Sequence, residues 1–306
     1  MRRPAVRPLL AIALAATLSI AVAEEAPPPT TAGVLAASTP ADWRRPDPEN
    51  VLYLELDSGR VVIELAPQFA PLHADNIRTL VRAGYFDGLK VIRSQENYVV
   101  QWGDPHADDP EQARPLAPAK ATLPPEFTRP MRGLDFTVLA DGDVYAPEVG
   151  FSGGFHAARD PEAGQAWLAH CYGVLGVARG GTADSGSGAG LYVVIGHAPR
   201  HLERNITAVG RVLRGMELLS TLPRGSGPLG FYTDPAQQVP VKAMRVAADV
   251  PEAERSALEV FRTDTAAFAQ LMEARRNRRE EWFLHPVGKV ELCNVPVPVR
   301  EVVGTE

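Results

Sequence analysis

The chain has 306 residues, of which 45% are hydrophobic and 22% charged, and its formal net charge is −6. This composition is typical of a globular protein with room for one well-packed domain and an appendage. Because phosphate binding depends on clustered Lys and Arg, an acidic chain of this kind excludes nucleic acid as a partner.

Residues 1–23 combine a basic start with an apolar stretch from Leu9 to Ile20 and small residues at Ala21 and Ala23. The stretch is shorter than the roughly 20 residues of a membrane span, so it predicts a signal peptide that is cleaved. Cleavage removes three arginines and no acidic residue, which takes the formal charge from −6 to −9. We expect a secreted protein without stable membrane insertion after cleavage.

Residues 24–49 are predicted to form a flexible linker, because a Pro-rich composition of this kind disfavours packed elements. Two runs of alternating apolar residues follow, at 51–57 and 60–65, and predict a β-hairpin. Pro71 then begins a helix with Ile77, Leu80 and Val81 on its apolar face, and Gly84 ends it.

The segment after this helix carries the most specific motif in the chain. It reads GYFDG at residues 84–88, VIRS at 91–94 and YVVQWGDP at 98–105. This order resembles that of the cyclophilins, the prolyl cis/trans isomerases, whose pattern is approximately GYYDG, two residues, FHRV, and then FMxQGGDP. The arginine and the glutamine are present as Arg93 and Gln101, whereas Ile92 replaces the histidine.

Later segments extend the resemblance. Residues 173–179, 191–195 and 207–212 are similar to three further strands of the family, and residues 214–219 to its second helix. The resemblance therefore covers about residues 50–248. It implies a mainly β fold, a closed antiparallel β-barrel of the cyclophilin type with two flanking helices.

Two segments exceed the family pattern. An insertion occupies about residues 106–168, and its extra residues at 128–168 are expected to form surface loops with at most a short hairpin near Phe136 to Val144. Residues 249–306 are predicted to form a C-terminal helical extension. Its apolar residues recur at helical spacing between about 251 and 284, with Asp264 as a possible N-cap between two helices, and residues 289–299 are predicted to form an edge strand.

The chain contains two cysteines, Cys171 and Cys293. In an oxidising compartment they form a bridge that ties the C-terminal tail to the barrel. The alternative is a pair of buried free thiols.

The resemblance implies a peptidyl-prolyl cis-trans isomerase that acts on proline-containing segments of secreted or unfolded proteins in the periplasm. Rotation about an X-Pro bond breaks no covalent bond, so we expect neither a cofactor nor a metal ion. The resemblance assigns catalysis to Arg93 and Gln101. It assigns substrate binding to Tyr98, Val99, Ala178, Arg179, Val193, His201 and Leu202.

Several family positions have changed, and this leaves a second interpretation open. Leu191 stands in place of a second glutamine, His201 in place of a tryptophan, and Ile92 and Ile206 in place of two histidines. Losing polar contacts while keeping Arg93 predicts reduced turnover. The alternative is a catalytically impaired cyclophilin-like module that binds peptides or acts as a chaperone.

Overall fold

The computed structural model describes residues 29–302, so the predicted signal peptide at 1–23 lies outside the described residues. Within residues 29–302, no helix is both long enough and apolar enough to cross a membrane. The elements before the insertion are α1 (Thr31–Ala37), β1 (Trp43–Arg44), β2 (Val51–Leu56), β3 (Gly59–Leu65), α2 (Pro71–Arg82), β4 (Lys90–Ser94) and β5 (Val99–Gly103). The insertion contributes β6 (Arg129–Pro130), β7 (Thr137–Leu139), β8 (Glu148–Ser152), β9 (Phe155–Asp160) and β10 (Gln165–Leu168). The remaining elements are β11 (Val174–Val177), β12 (Leu191–Val194), β13 (Ala208–Arg214), α3 (Met216–Ser220), β14 (Val239–Val246), β15 (Leu258–Phe261), α4 (Ala266–Arg276) and β16 (Val299–Glu301).

Eight antiparallel strands close the predicted barrel in the order β11, β12, β5, β4, β14, β2, β3 and β13. Period-two alternation puts one set of apolar side chains inside it, including Leu52, Ile63 and Trp102. The helix α2 covers the barrel with Ile77 and Leu80, which are both fully buried. Gly84 follows the helix at φ 68°, a conformation that glycine adopts without strain. The predicted barrel with its flanking helices is confirmed.

The insertion is not a set of surface loops. Its strands form a five-stranded antiparallel sheet in the order β6, β10, β9, β8 and β7. The hairpin expected near 136–144 begins at Thr137 but is longer than predicted, because its second strand is β8, at Glu148–Ser152. The Gly, Pro and Asp residues that suggested loops are concentrated in the connections, whereas Phe151, Ala157 and Trp167 of the strands are buried.

The described part of the expected linker, residues 29–49, is packed rather than flexible. Thr30 caps α1 through a hydrogen bond from the Gly33 amide, and β1 pairs with β15. Proline does not prevent this, because Pro40 occupies the first position of a short 3-10 helix, where its fixed φ is favourable. The apolar partners of this N-terminal segment come from the C-terminal extension. The rings of Trp43 and Phe261 meet edge-on, with their centres 4.7 Å apart.

The C-terminal extension contains one described α-helix instead of a long helical region. Leu258 and Phe261 belong to the strand β15, and the helix α4 starts after Thr265, whose hydroxyl accepts the Phe268 amide. Asp264, the predicted N-cap, binds Arg262 instead. The apolar residues of β15 and of α4 happen to fall at one continuous helical spacing. The sequence pattern therefore predicted helix over both elements.

The predicted edge strand over 289–299 is displaced towards the C-terminus. Only Val299–Glu301 pairs, as β16, with β15, while Leu292–Asn294 forms a 3-10 turn. Proline at 296 and 298 cannot donate to a ladder, so pairing starts only after Pro298.

A buried cluster, which we call the joint, connects the barrel to the insertion and the tail. Arg200 of the barrel binds Asp143 of the insertion at 3.0 Å, Glu291 of the tail at 3.3 Å, and the neighbouring Glu203. A disulfide between Cys171, just before β11 of the barrel, and Cys293 of the tail adds a covalent link between the barrel and the tail. Of the two alternatives for the cysteines, the bridge is therefore the one that forms.

Candidate active site

Arg93 lies in β4, and a β-bulge directs its side chain. Val91 pairs with Trp102 and Arg93 pairs with Gln101, so Ile92 is an extra residue on this strand. A bulge re-aims the side chains beside it. Arg93 and Gln101 consequently meet, and Nη1 of the guanidinium donates to Oε1 of the amide at 3.2 Å.

Neutral groups hold all three nitrogen atoms of the Arg93 guanidinium. Besides the bond to Gln101, Nη2 donates to Oε1 of Gln95, and Nε donates to the carbonyl oxygen of Leu229 at 2.7 Å. Within the described part of the chain, no carboxylate is among its partners. Burial lowers the pKa of Arg93, yet a guanidinium stays charged near neutral pH. The site therefore contains an oriented positive charge for which residues 29–302 supply no counter-ion.

Aromatic rings lie beside this charge. The ring centre of Tyr98 is 5.6 Å from Cζ of Arg93 and that of Phe231 is 5.3 Å away, both within cation–π range. The His201 ring stacks on Tyr98 with centres 5.8 Å apart, and Nε2 of His201 lies 3.2 Å from the Tyr98 hydroxyl. His201 is exposed and Leu202 next to it is half-buried, so both are at the edge of the site.

The position of His201 depends on two turns that approach each other closely. Asn97 has φ 52°, and its Oδ1 accepts the His197 amide at 2.9 Å. A Cβ on Gly196 would lie 2.2 Å from the Asn97 carbonyl carbon, so no larger residue fits there. The close contact between the two turns places the 3-10 turn Ala198–Leu202, which contains His201, at the site.

An open cleft of about 650 Å³ borders Gln101. Ala178 and Arg179, both predicted to bind substrate, line the same cleft, as does Phe231. Arg179 is exposed, and its Nε donates to the carbonyl oxygen of Asn205 at 2.9 Å. The cleft is large enough to accept several residues of an extended peptide.

Polar side chains of α2 fix one wall of the cleft. His73 contacts the Glu126 carboxylate at 2.6 Å and the Gly186 carbonyl oxygen at 2.9 Å, and Asn76 donates to the Ser187 carbonyl oxygen at 2.8 Å. Burial raises the pKa of Glu126, but the hydrogen bonds from His73 outweigh it and hold that pKa below its usual range. The loop that contains Gly186 and Ser187 is thus anchored to the buried face of α2.

Val193 is not part of the site, which corrects the expectation from the sequence. Its side chain is in the barrel interior, opposite Val100, whereas Tyr192 and Val194 occupy the outer face on which Gln101 lies. A register shift of one residue moves every side chain to the other face. Val99 is on the outer face but only 2% exposed, so it offers almost no surface to a ligand.

Sequence reasoning missed Gln95, Leu229 and Phe231, which all contact Arg93. Gln95 follows Arg93 by two residues, and this spacing was the signal that could have indicated it. Leu229 and Phe231 belong to a glycine-rich loop more than 130 residues away, and their only signal was an apolar residue on either side of Gly230.

Residues 51–246 match the family described as cyclophilin type peptidyl-prolyl cis-trans isomerase/CLD. The chain is 26% identical over 180 residues to a probable peptidyl-prolyl cis-trans isomerase of Brucella suis, covering 59% of this chain and 74% of that protein. It is 37% identical over 71 residues to peptidyl-prolyl cis-trans isomerase-like 1 of Homo sapiens, covering 23% of this chain and 40% of that protein.

The fold is similar to the crystal structure of cyclophilin AquaCyp293 from Hirschia baltica. The TM-score is 0.69 at 27% identity, and the match covers 90% of this chain and 99% of that chain. The likeness thus extends beyond the barrel. The chain belongs to the cyclophilin-type peptidyl-prolyl cis-trans isomerases, and its activity is the isomerisation of prolyl peptide bonds.

Proposed function

We propose that Arg93 and Gln101 catalyse this isomerisation on X-Pro bonds of secreted or unfolded proteins. The observation that carries the proposal is the oriented guanidinium of Arg93, which has no carboxylate partner among the described residues. Arg93 does not itself line the open cleft, but Gln101 and Phe231, which contact it, both do. An arginine has five N–H donors, and three of those on Arg93 are engaged, one on each nitrogen. With the contacts of residues 29–302 counted, two donors remain for a substrate.

Rotation about the X-Pro bond has a barrier of about 20 kcal/mol, because the nitrogen lone pair is delocalised into the carbonyl group. In the twisted state this lone pair is localised on the nitrogen and accepts a hydrogen bond more strongly than in either planar state. A fixed donor from Arg93 therefore stabilises the transition state over the ground states. Gln101 holds the guanidinium in place for this contact.

We propose that turnover is reduced relative to a site with all the family contacts. Leu191, which the alignment places at a family glutamine, is buried in the barrel interior on the same face as Val193. The residue opposite Gln101 on the outer face is Tyr192, which is 3% exposed and whose hydroxyl contacts His170, so neither residue provides a polar contact to a peptide. His201 provides a smaller ring than tryptophan at the edge. The cleft beside Gln101 still accommodates the peptide, which favours reduced activity over none.

We also propose that the protein works outside the cytoplasm, in the periplasm. The pattern of residues 1–23 supports secretion. The disulfide between Cys171 and Cys293 supports an oxidising compartment, since such bonds are rare where thiols are kept reduced. Cell fractionation with thiol alkylation checks this, and a protein found in the cytoplasm with both thiols reduced contradicts it.

The catalytic assignment is tested with residues 24–306 and the variant Arg93→Ala. NMR exchange on an Ala-Pro peptide measures the isomerisation rate, and we expect the variant to lose about 100-fold in kcat/KM, as when one preorganised transition-state donor is removed. Its melting temperature should change little. Equal rates for both proteins contradict the role of Arg93. Binding of proline peptides without any rate enhancement in either protein supports the peptide-binding or chaperone module instead.

A further inference from the structure

Two residues with exposed apolar side chains contact Arg93, Leu229 through its backbone and Phe231 through its ring. Leu229 is 65% exposed and Phe231 is 37% exposed, although large apolar side chains are usually buried. The Leu229 carbonyl oxygen accepts Nε–H of Arg93, and the Phe231 ring lies beside the guanidinium. Phe231 also lines the cleft, so the apolar surface reaches the cleft through this residue.

The loop that carries these side chains is anchored to β4. The Gly225 amide donates to the Ser94 carbonyl oxygen at 2.9 Å, and the Tyr232 amide donates to the Ile92 carbonyl oxygen at 3.1 Å. Each anchor is next to Arg93 in sequence. The two apolar side chains are therefore held at the site by hydrogen bonds on both sides of the loop.

The loop is also bonded within itself, with Gly227 N donating to Phe231 O at 2.9 Å. Leu229 has φ 57°, a left-handed conformation that is uncommon for residues other than Gly, Asn and Asp. Unfavourable backbone conformations of this kind cluster at ligand-binding sites. Here the residue in this conformation is a leucine whose side chain is exposed to solvent and whose carbonyl oxygen is bound to Arg93.

We propose that Leu229 and Phe231 form an apolar wall that selects prolyl peptides with a large apolar side chain next to the proline. The inference rests on the proposed function of Arg93, because the wall is useful only if the prolyl bond lies there. A leucine or phenylalanine that flanks the proline leaves water when it packs on the wall, and an alanine gains much less. A lysine at the same position is repelled by the uncompensated charge of Arg93.

The test measures kcat/KM by NMR exchange for peptides that carry Ala, Leu, Phe or Lys directly before or after the proline. We expect the natural sequence to prefer Leu or Phe to Ala about tenfold at one of the two positions. Leu229→Asn should reduce this preference to about threefold, and Phe231→Ala to about twofold or less. Asn keeps the backbone carbonyl and tolerates the left-handed conformation, so this variant is expected to fold.

Val144→Asn is the matched control, because Val144 is 91% exposed on the insertion and should leave the preference unchanged. Equal kcat/KM for all flanking residues, or a preference that survives both wall variants, overturns the proposal. Peptide affinities measured in parallel separate the two hypotheses. A chain that binds Leu peptides more tightly than Ala peptides, but accelerates neither, supports the wall and contradicts catalysis by Arg93.

Discussion

Two arginines in this protein are each held by several hydrogen bonds, but by partners of different kinds. Arg200 in the joint has a side chain only 1% exposed and binds the carboxylates of Asp143, Glu203 and Glu291. Arg93 in the site is half-buried and binds two amides and a carbonyl. Carboxylates neutralise a guanidinium, whereas neutral acceptors orient it and leave its charge available to a ligand.

The pKa directions agree with this difference. Burial lowers the pKa of Arg93, and the groups of the described chain that oppose this effect are Tyr98 and Tyr192, not carboxylates. Burial has the same effect on Arg200, but Glu203 and Asp143 outweigh it, so the pKa of Arg200 is raised. Changes in the joint should therefore affect stability, and changes in the site should affect activity.

The largest effect is expected for Arg200→Met. The substitution leaves Asp143 and Glu203 buried without their cation, and breaking a buried ion pair costs about 3–5 kcal/mol. Urea unfolding measures the loss. Arg179→Met, at an exposed arginine without a carboxylate partner among the described residues, is the control and should cost less than about 1 kcal/mol. A loss for Arg200→Met no larger than that of the control would remove the structural role of the joint.

A smaller loss is expected for Cys293→Ser. The disulfide closes a separation of 122 residues, and removing such a link costs about 2–4 kcal/mol. Reductant should destabilise the natural sequence by a similar amount and leave the variant unchanged. The kcat/KM of the folded variant should stay within about twofold, since the bridge does not contact Arg93; a loss near 100-fold would mean that the joint controls the site.

The sequence could predict the barrel because its motifs lie within short segments. Arg93, Gln101 and the turn at Gly84 occur within 20 residues, so local spacing specifies their arrangement. The core outside the barrel, where the insertion packs against the N-terminal and C-terminal segments, could not be predicted in this way. Val34, Phe151 and Phe268 share one buried cluster, yet more than 100 residues separate each from the next, and no local pattern shows which segments meet.

The site also shows the limit of transferring positions by alignment. Alternation along β12 predicts two faces but does not say which face is inside, so Val193 was assigned to the wrong side. The bulge at Ile92 had no sequence signal either, although it is what brings Arg93 opposite Gln101. Strand pairing decides both, and it is long-range for β12 with β5 but local for β4 with β5.

His170 lies between the joint and the site, so a substitution there tests how far the two regions differ. Its amide donates to Glu203 in the joint, and its Nε2 contacts the hydroxyl of Tyr192, whose register partner is Gln101. Burial lowers the pKa of His170 to about 3. Between about pH 6.5 and 3 the unfolded state binds a proton that the folded state does not, so stability falls as pH falls.

We expect His170→Phe to make this decline less steep, by up to about 1.4 kcal/mol per pH unit between pH 6 and 4. Unfolding free energies at several pH values measure the slope. His156, with a pKa lowered to about 4 by burial, remains in both proteins and supplies a residual slope. Identical slopes with and without His170 would show that this imidazole is not held neutral by the fold.

The most direct test of the central claim is to give Arg93 the kind of partner that Arg200 has. Gln95→Glu places a carboxylate where the Gln95 amide now accepts from Nη2, with almost no change in shape. We predict that kcat/KM for an Ala-Pro peptide falls about tenfold, or about 1.4 kcal/mol, while the melting temperature stays the same or rises. Gln95→Met, which removes the acceptor without adding charge, should lose less. An undiminished rate for Gln95→Glu would contradict the claim that an uncompensated guanidinium performs the catalysis.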